Sequence, residues 1–103
     1  MKFKNTALTL CLLACATTQV QAQAPSALQA RSLAASCAAC HGTHGQAQPG
    51  MATLAGLPQE VIVQKMLDYK AGRLPATLMH QLAKGYTDEE ITAIAAQLAT
   101  PKK

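Results

Sequence analysis

Cys37, Cys40 and His41 carry the densest chemistry in this chain, in the run Cys37-Ala-Ala-Cys40-His41. Two thiols at this spacing can close a disulfide, but the imidazole directly after the second thiol adds a different capability. Both thiols can add to the vinyl groups of a haem, and the neighbouring ring is then aimed at the iron. The pattern predicts one covalent haem c, with thioethers at Cys37 and Cys40 and with His41 as an axial ligand. The rival is a redox-active or disulfide-forming Cys-x-x-Cys, which places no requirement on the residue after the second cysteine.

An iron held by one imidazole has a further position to fill, and His44, Met51, Met79 and His80 carry suitable atoms. His44 follows His41 too closely for the chain to pass round the ring edge, so a place on the loop surface is expected. Met51 falls in the same loop, where packing against the haem edge is the simpler role. Met66 lies on the apolar face of a helical pattern and is expected in the core. Met79 falls in a later loop region ahead of the last helix, from which the chain can cross the far side of the haem. It is the expected second axial ligand, with His80 or an open iron as alternatives. Methionine opposite histidine favours reduced iron and closes the coordination sphere, which describes an electron carrier; an open iron would describe an enzyme or a gas sensor. Metal-bound histidine usually donates its other N–H, and the carbonyl of Pro49 is the candidate acceptor.

Haem of this kind is attached after export in bacteria, and the N-terminus is patterned for export. Lys2 and Lys4 form a basic start, residues 8–16 are apolar apart from Thr9, and Val20-Gln21-Ala22 offers small residues for cleavage. These are the parts of a secretory signal peptide, and the apolar run is too short to span a bilayer. Cleavage after Ala22 would leave residues 23–103 as one periplasmic domain, with Cys37 and Cys40 as its thiols. Leu12-Leu13-Ala14-Cys15 is also similar to a lipoprotein processing box, so membrane association is expected only if Cys15 is acylated. Past residue 22 the chain has seven basic and five acidic side chains. They form no basic cluster with interleaved aromatics, which argues against nucleic acid, and Lys102 and Lys103 read as a solvated tail.

Three main helices must position these residues, giving an all-α fold. Ser26 can cap the first, whose apolar positions Ala30, Leu33, Ala34 and Cys37 run into the haem motif. A loop rich in Gly, Thr, Gln and Pro follows, from Gly42 to Gly56. Pro58 and Gly72 bracket a middle helix with Ile62, Met66 and Tyr69 on one face, widened by Val63 and Leu67; most of its charges, Lys65 among them, fall opposite. Residues 77–83 read as either an irregular turn or a short helix. Thr87-Asp88-Glu89-Glu90 is a capping box opening a last helix with the stripe Ile91, Ile94, Ala95 and Leu98, stopped by Pro101. There is no Trp, the one Phe precedes Ala22, and Ala dominates, so the core is thin. A covalent haem would supply its missing apolar centre.

From Leu33 to Leu98 the chain resembles the small monohaem class I cytochromes c, and more narrowly the cytochrome subunit of flavocytochrome c sulfide dehydrogenase. The resemblance rests on Cys37-Ala-Ala-Cys-His-Gly-Thr-His-Gly45, Leu54-Ala-Gly56, the helix Val63 to Gly72, and Met79 followed by Ala83-Lys-Gly-Tyr-Thr-Asp-Glu-Glu-Ile91. It implies helices and loops wrapped around one haem, and it supports Met79 as the distal ligand. It also implies a partner, an FAD-containing flavoprotein that oxidises sulfide and passes electrons singly to this chain. This chain would have no catalytic residues for sulfur chemistry, and a downstream cytochrome or oxidase would take the electrons. A free-standing carrier serving a terminal oxidase or peroxidase is the alternative.

Overall fold

The computed structural model describes residues 23–99; the expected signal peptide with Cys11 and Cys15, Pro101 and the two terminal lysines lie outside them. Among the described residues the chain is helical without strands, in the order α1 (Ala27–Ala35), α2 (Ala38–His41), α3 (Gln59–Lys70), α4 (Met79–Lys84) and α5 (Asp88–Ala99), with a 3-10 turn at Thr43–Gly45.

Local chemistry opens these helices where the sequence places their starts. Ser26 caps α1, its Oγ accepting from the Gln29 N–H at 3.3 Å while the Gln29 side chain accepts from the Ser26 N–H at 2.9 Å. That reciprocal pair is a full capping box, built on a glutamine. Thr87 and Glu90 make the second, at 2.9 and 3.2 Å. Each satisfies two N–H groups that a helix start would otherwise leave unpaired. Asp88, Glu89 and Glu90 in the first turn of α5 also favour the positive end of the helix dipole.

Helix α3 packs on both α4 and α5, and α1 packs on α5. The core is Ile62 and Met66 from α3, Ala83 from α4, and Ile91 and Ala95 from α5. Among the described residues the largest fully buried side chains are Ile91 and Ile94, both on α5. Burying each contributes about 1.5–3 kcal/mol. Helix α1 buries only Ala30 and Ala34, small side chains that let it approach closely. The ambiguous stretch before α5 resolves as the short helix α4, so Met79 opens a helix instead of lying in a loop.

Candidate functional site

Helix α1 ends at Ser36, and Cys37 begins the single turn of α2 that carries Cys40 and His41. Gly42 turns the chain sharply away. Its φ is +80°, and a Cβ there would sit 1.8 Å from the Gln46 carbonyl oxygen, so only glycine fits after this histidine.

The loop beyond is closed on itself. The Gly45 carbonyl accepts from the N–H groups of both Leu54 and Ala55, at 2.8 and 3.0 Å. This return carries Ala52 back to the haem motif, where its carbonyl oxygen lies 2.6 Å from His41 Nδ1. Pro49, the candidate acceptor from the sequence, does not take this role. The pinning point at Gly45 decides which carbonyl arrives, and it is the one just before Thr53. A carbonyl can only accept, so the proton of the neutral ring sits on Nδ1 and the Nε2 lone pair is left free.

His41, Cys37 and Cys40 line a cleft of about 560 Å³, and Met79 at the start of α4 lines the same cleft. Its apolar lining includes Leu54, Leu57, Ile62, Met66, Ile94 and Leu98. Of the other candidates, Met51 lines the cleft at 47% exposure, and Met66 is at once core and cleft lining. His44 is exposed and lines a second hollow of about 510 Å³, with Arg31, Thr43 and Gln97. His80 does not line the cleft, and its Nδ1 is buried without a hydrogen-bond partner.

Sequence reasoning missed three contributors. Lys65 lines the cleft although its helix pattern set it among the solvent-facing charges, and it is the one charged residue in that lining. Ala52 acts through its backbone, which leaves no side-chain signal. Tyr86 lines the cleft and meets Ser36 at 3.1 Å; its place beside the capping box gives no hint of that contact.

The surroundings of Cys37 do not favour its attack in thiol exchange. Cys37 and Cys40 are not joined in a disulfide, and burial pushes the Cys37 thiol up, with hydrogen bonding only partly opposing it. An attacking thiol needs the opposite shift. The residues do fit a haem: a large apolar cleft, two thiols on its wall, a ring nitrogen free to ligate, and a thioether from a separate helix.

The comparisons with known proteins agree with that fit. The sequence is 34% identical over 83 residues to cytochrome c-553 of Helicobacter pylori, spanning 79% of this chain and 86% of that protein. The chain belongs to the class I cytochromes c. It is also 43% identical over 63 residues to the cytochrome subunit of sulfide dehydrogenase of Chlorobaculum tepidum. That match covers 61% of this chain and 57% of the subunit, so the cytochrome spans little more than half of that relative. Cytochrome c-553 of Desulfomicrobium norvegicum is 32% identical over 76 residues, covering 71% of this chain and 95% of the relative. No family model matches the chain. Kinship with these cytochromes implies covalently bound haem c and a role in electron transfer. Among the described residues of this cytochrome, no helix is long and apolar enough to cross a membrane.

Proposed function

We propose that this cytochrome is exported to the periplasm and carries single electrons on one haem c, as the subunit that accepts electrons from a sulfide-oxidising flavoprotein. The observation that carries the electron-transfer reading is the shared cleft, in which Cys37, Cys40 and His41 from one segment meet the same space as Met79 from another.

When bound, the haem supplies a one-electron iron couple in a largely apolar surrounding. Cys37 and Cys40 would hold it through thioethers, so retention would not depend on the small surface the fold can wrap around it. His41 would offer Nε2 to the iron, with Ala52 fixing the ring's orientation and proton. Met79, which lines the same cleft, would offer its thioether sulfur as a second ligand. Lys65 would supply a cation at the cleft wall.

The choice of partner is supported by the sulfide dehydrogenase subunit among the relatives. Sulfide oxidation to the zero-valent level releases an electron pair, which a flavin can take and this chain can then accept one electron at a time. The second reading is a free-standing carrier serving an oxidase or peroxidase. It is favoured by the cytochromes c-553, which this chain matches over 86% and 95% of their lengths.

Isolation from the native periplasm tests both. The expected result is a chain beginning after Ala22, carrying one covalent haem, that co-purifies with a flavoprotein and is reduced by it when sulfide is added. Covalent haem without a flavoprotein would favour the free-standing carrier. Free thiols and no haem after export alongside a maturation system would overturn the electron-transfer reading itself.

A further inference from the structure

Two segments far apart in sequence build much of the cleft: Ser36 to His41, with the paired cysteines, and Pro75 to Tyr86, with Met79. Among the described residues, the direct hydrogen bond between these segments joins Tyr86 Oη to Ser36 Oγ at 3.1 Å, across 50 positions.

The direction of that bond follows from its neighbour. Ser36 Oγ lies 2.7 Å from the Leu33 carbonyl oxygen, which can only accept. The single hydroxyl proton of Ser36 is committed there, so Tyr86 must donate. The result is a directed chain, Tyr86 O–H to Ser36 O–H to the Leu33 carbonyl at the C-terminal end of α1. Ser36 is thereby fixed immediately before Cys37.

Tyr86 is held at its backbone as well. Its carbonyl accepts from Lys70 Nζ at 2.7 Å, and the same ammonium reaches Asp88 Oδ1 at 2.7 Å. Its N–H donates to the Ala83 carbonyl at the end of α4, at 3.3 Å. Tyr86 therefore joins three parts of the fold: the C-terminal end of α3, the end of the helix that Met79 opens, and the residue beside the first thiol. Its ring also packs against the core, so removing the hydroxyl alone leaves that packing in place.

We infer that the Tyr86–Ser36 hydrogen bond is a latch across the cleft, a pair of positioning residues that hold the Met79 segment against the cysteine segment and so keep the Met79 sulfur on the iron. The latch rests on the proposed assignment of Met79 as a ligand. Its bond is one ordinary hydrogen bond, worth about 0.5–1.5 kcal/mol net. Losing it therefore makes opening of the iron site about 2- to 10-fold easier without unfolding the protein.

The test uses the haem-loaded protein and the variants Tyr86→Phe, Ser36→Ala, Ser36→Thr and the Tyr86→Phe/Ser36→Ala pair. The readouts are imidazole affinity of the ferric form, the red-region thioether-to-iron absorption, and the thermal melt. Wild type must first show that absorption and Met79→Ala must lose it; failure there overturns the ligand assignment. With the assignment standing, Tyr86→Phe and Ser36→Ala should each tighten imidazole binding about 2- to 10-fold, the double variant should match either single one, and Ser36→Thr should restore wild-type affinity. Unchanged affinity in the single variants overturns the latch. So does an effect in Tyr86→Phe alone, which would assign the hydroxyl to the haem instead of to Ser36. Additive effects in the double variant, or a fall in melting temperature with no change in affinity, would also overturn it.

Discussion

His41 Nδ1 and the Ala52 carbonyl oxygen lie 2.6 Å apart, a short contact between the haem motif and the returning limb of the loop that follows it. Donation to a carbonyl makes an imidazole a better electron donor, and so steadies oxidised iron. Thr53, next to Ala52, accepts from the Ala47 N–H at 3.3 Å and helps to hold that limb. Thr53→Ala should therefore loosen the contact and raise the midpoint potential by at most a few tens of mV, part of one hydrogen bond of about 0.5–1.5 kcal/mol. Redox titration at unchanged haem content checks it; a lowered potential would contradict the direction of this argument.

Met79→Ala should lower the midpoint potential and open the iron to carbon monoxide in the reduced form. Axial ligands command a span of about 0.8 V across haem proteins, so a shift of about 100 mV or more is expected. Spectroelectrochemistry measures the shift. An unchanged potential would move the ligand to Met51, which lines the same cleft, or to His80, which does not.

Gly42 and Gly50 separate two meanings of glycine. Both have positive φ, +80° and +94°, but a Cβ on Gly42 would sit 1.8 Å from a backbone oxygen, while one on Gly50 would meet nothing within 4 Å. Gly50→Ala should cost about 1–2 kcal/mol through its backbone conformation alone. Gly42→Ala must also displace the turn that leaves His41, so it should cost more and reduce covalent haem loading. Equal melting temperatures for the two variants would contradict the steric account.

Asp68 ties α3 to the residues after it. Arg73 Nε and Nη2 lie 2.8 and 2.6 Å from its carboxylate, and Gln64 donates to it at 3.0 Å. The Arg73 hydrogen bond, with smaller help from Gln64, holds the carboxyl below its ordinary range. Because the folded value is depressed, the stabilisation is present above the unfolded carboxylate pKa and is lost as pH falls through the folded one. Arg73 is 59% exposed, so the effect is small and weakened by salt. Urea midpoints measured against pH should fall less steeply in acid for Asp68→Asn than for wild type.

Much of the fold was legible because short-range chemistry sets it. The Thr87–Glu90 box, the Ser26 cap and the Ile91, Ile94, Ala95 stripe each depend on residues within a few positions, and each forms where the pattern placed it. Residues 77–83 were ambiguous because no cap or long stripe marks them. There Ala83, fully buried in the core, belongs to a helix that packs on α3.

The sequence by itself determined which residues are proposed for the site: Cys37, Cys40 and His41 at the spacing for covalent attachment, and a short list of further donors among which Met79 stood out. Covalent chemistry depends on spacing along the chain, so a string of letters can carry it. Only the tertiary structure decided that Ala52 and not Pro49 meets His41, that Lys65 faces the cleft, and that Tyr86 reaches Ser36. Each of these is a backbone or end-of-side-chain contact fixed by how a loop closes or how two helices cross, and no local pattern encodes where such a path returns.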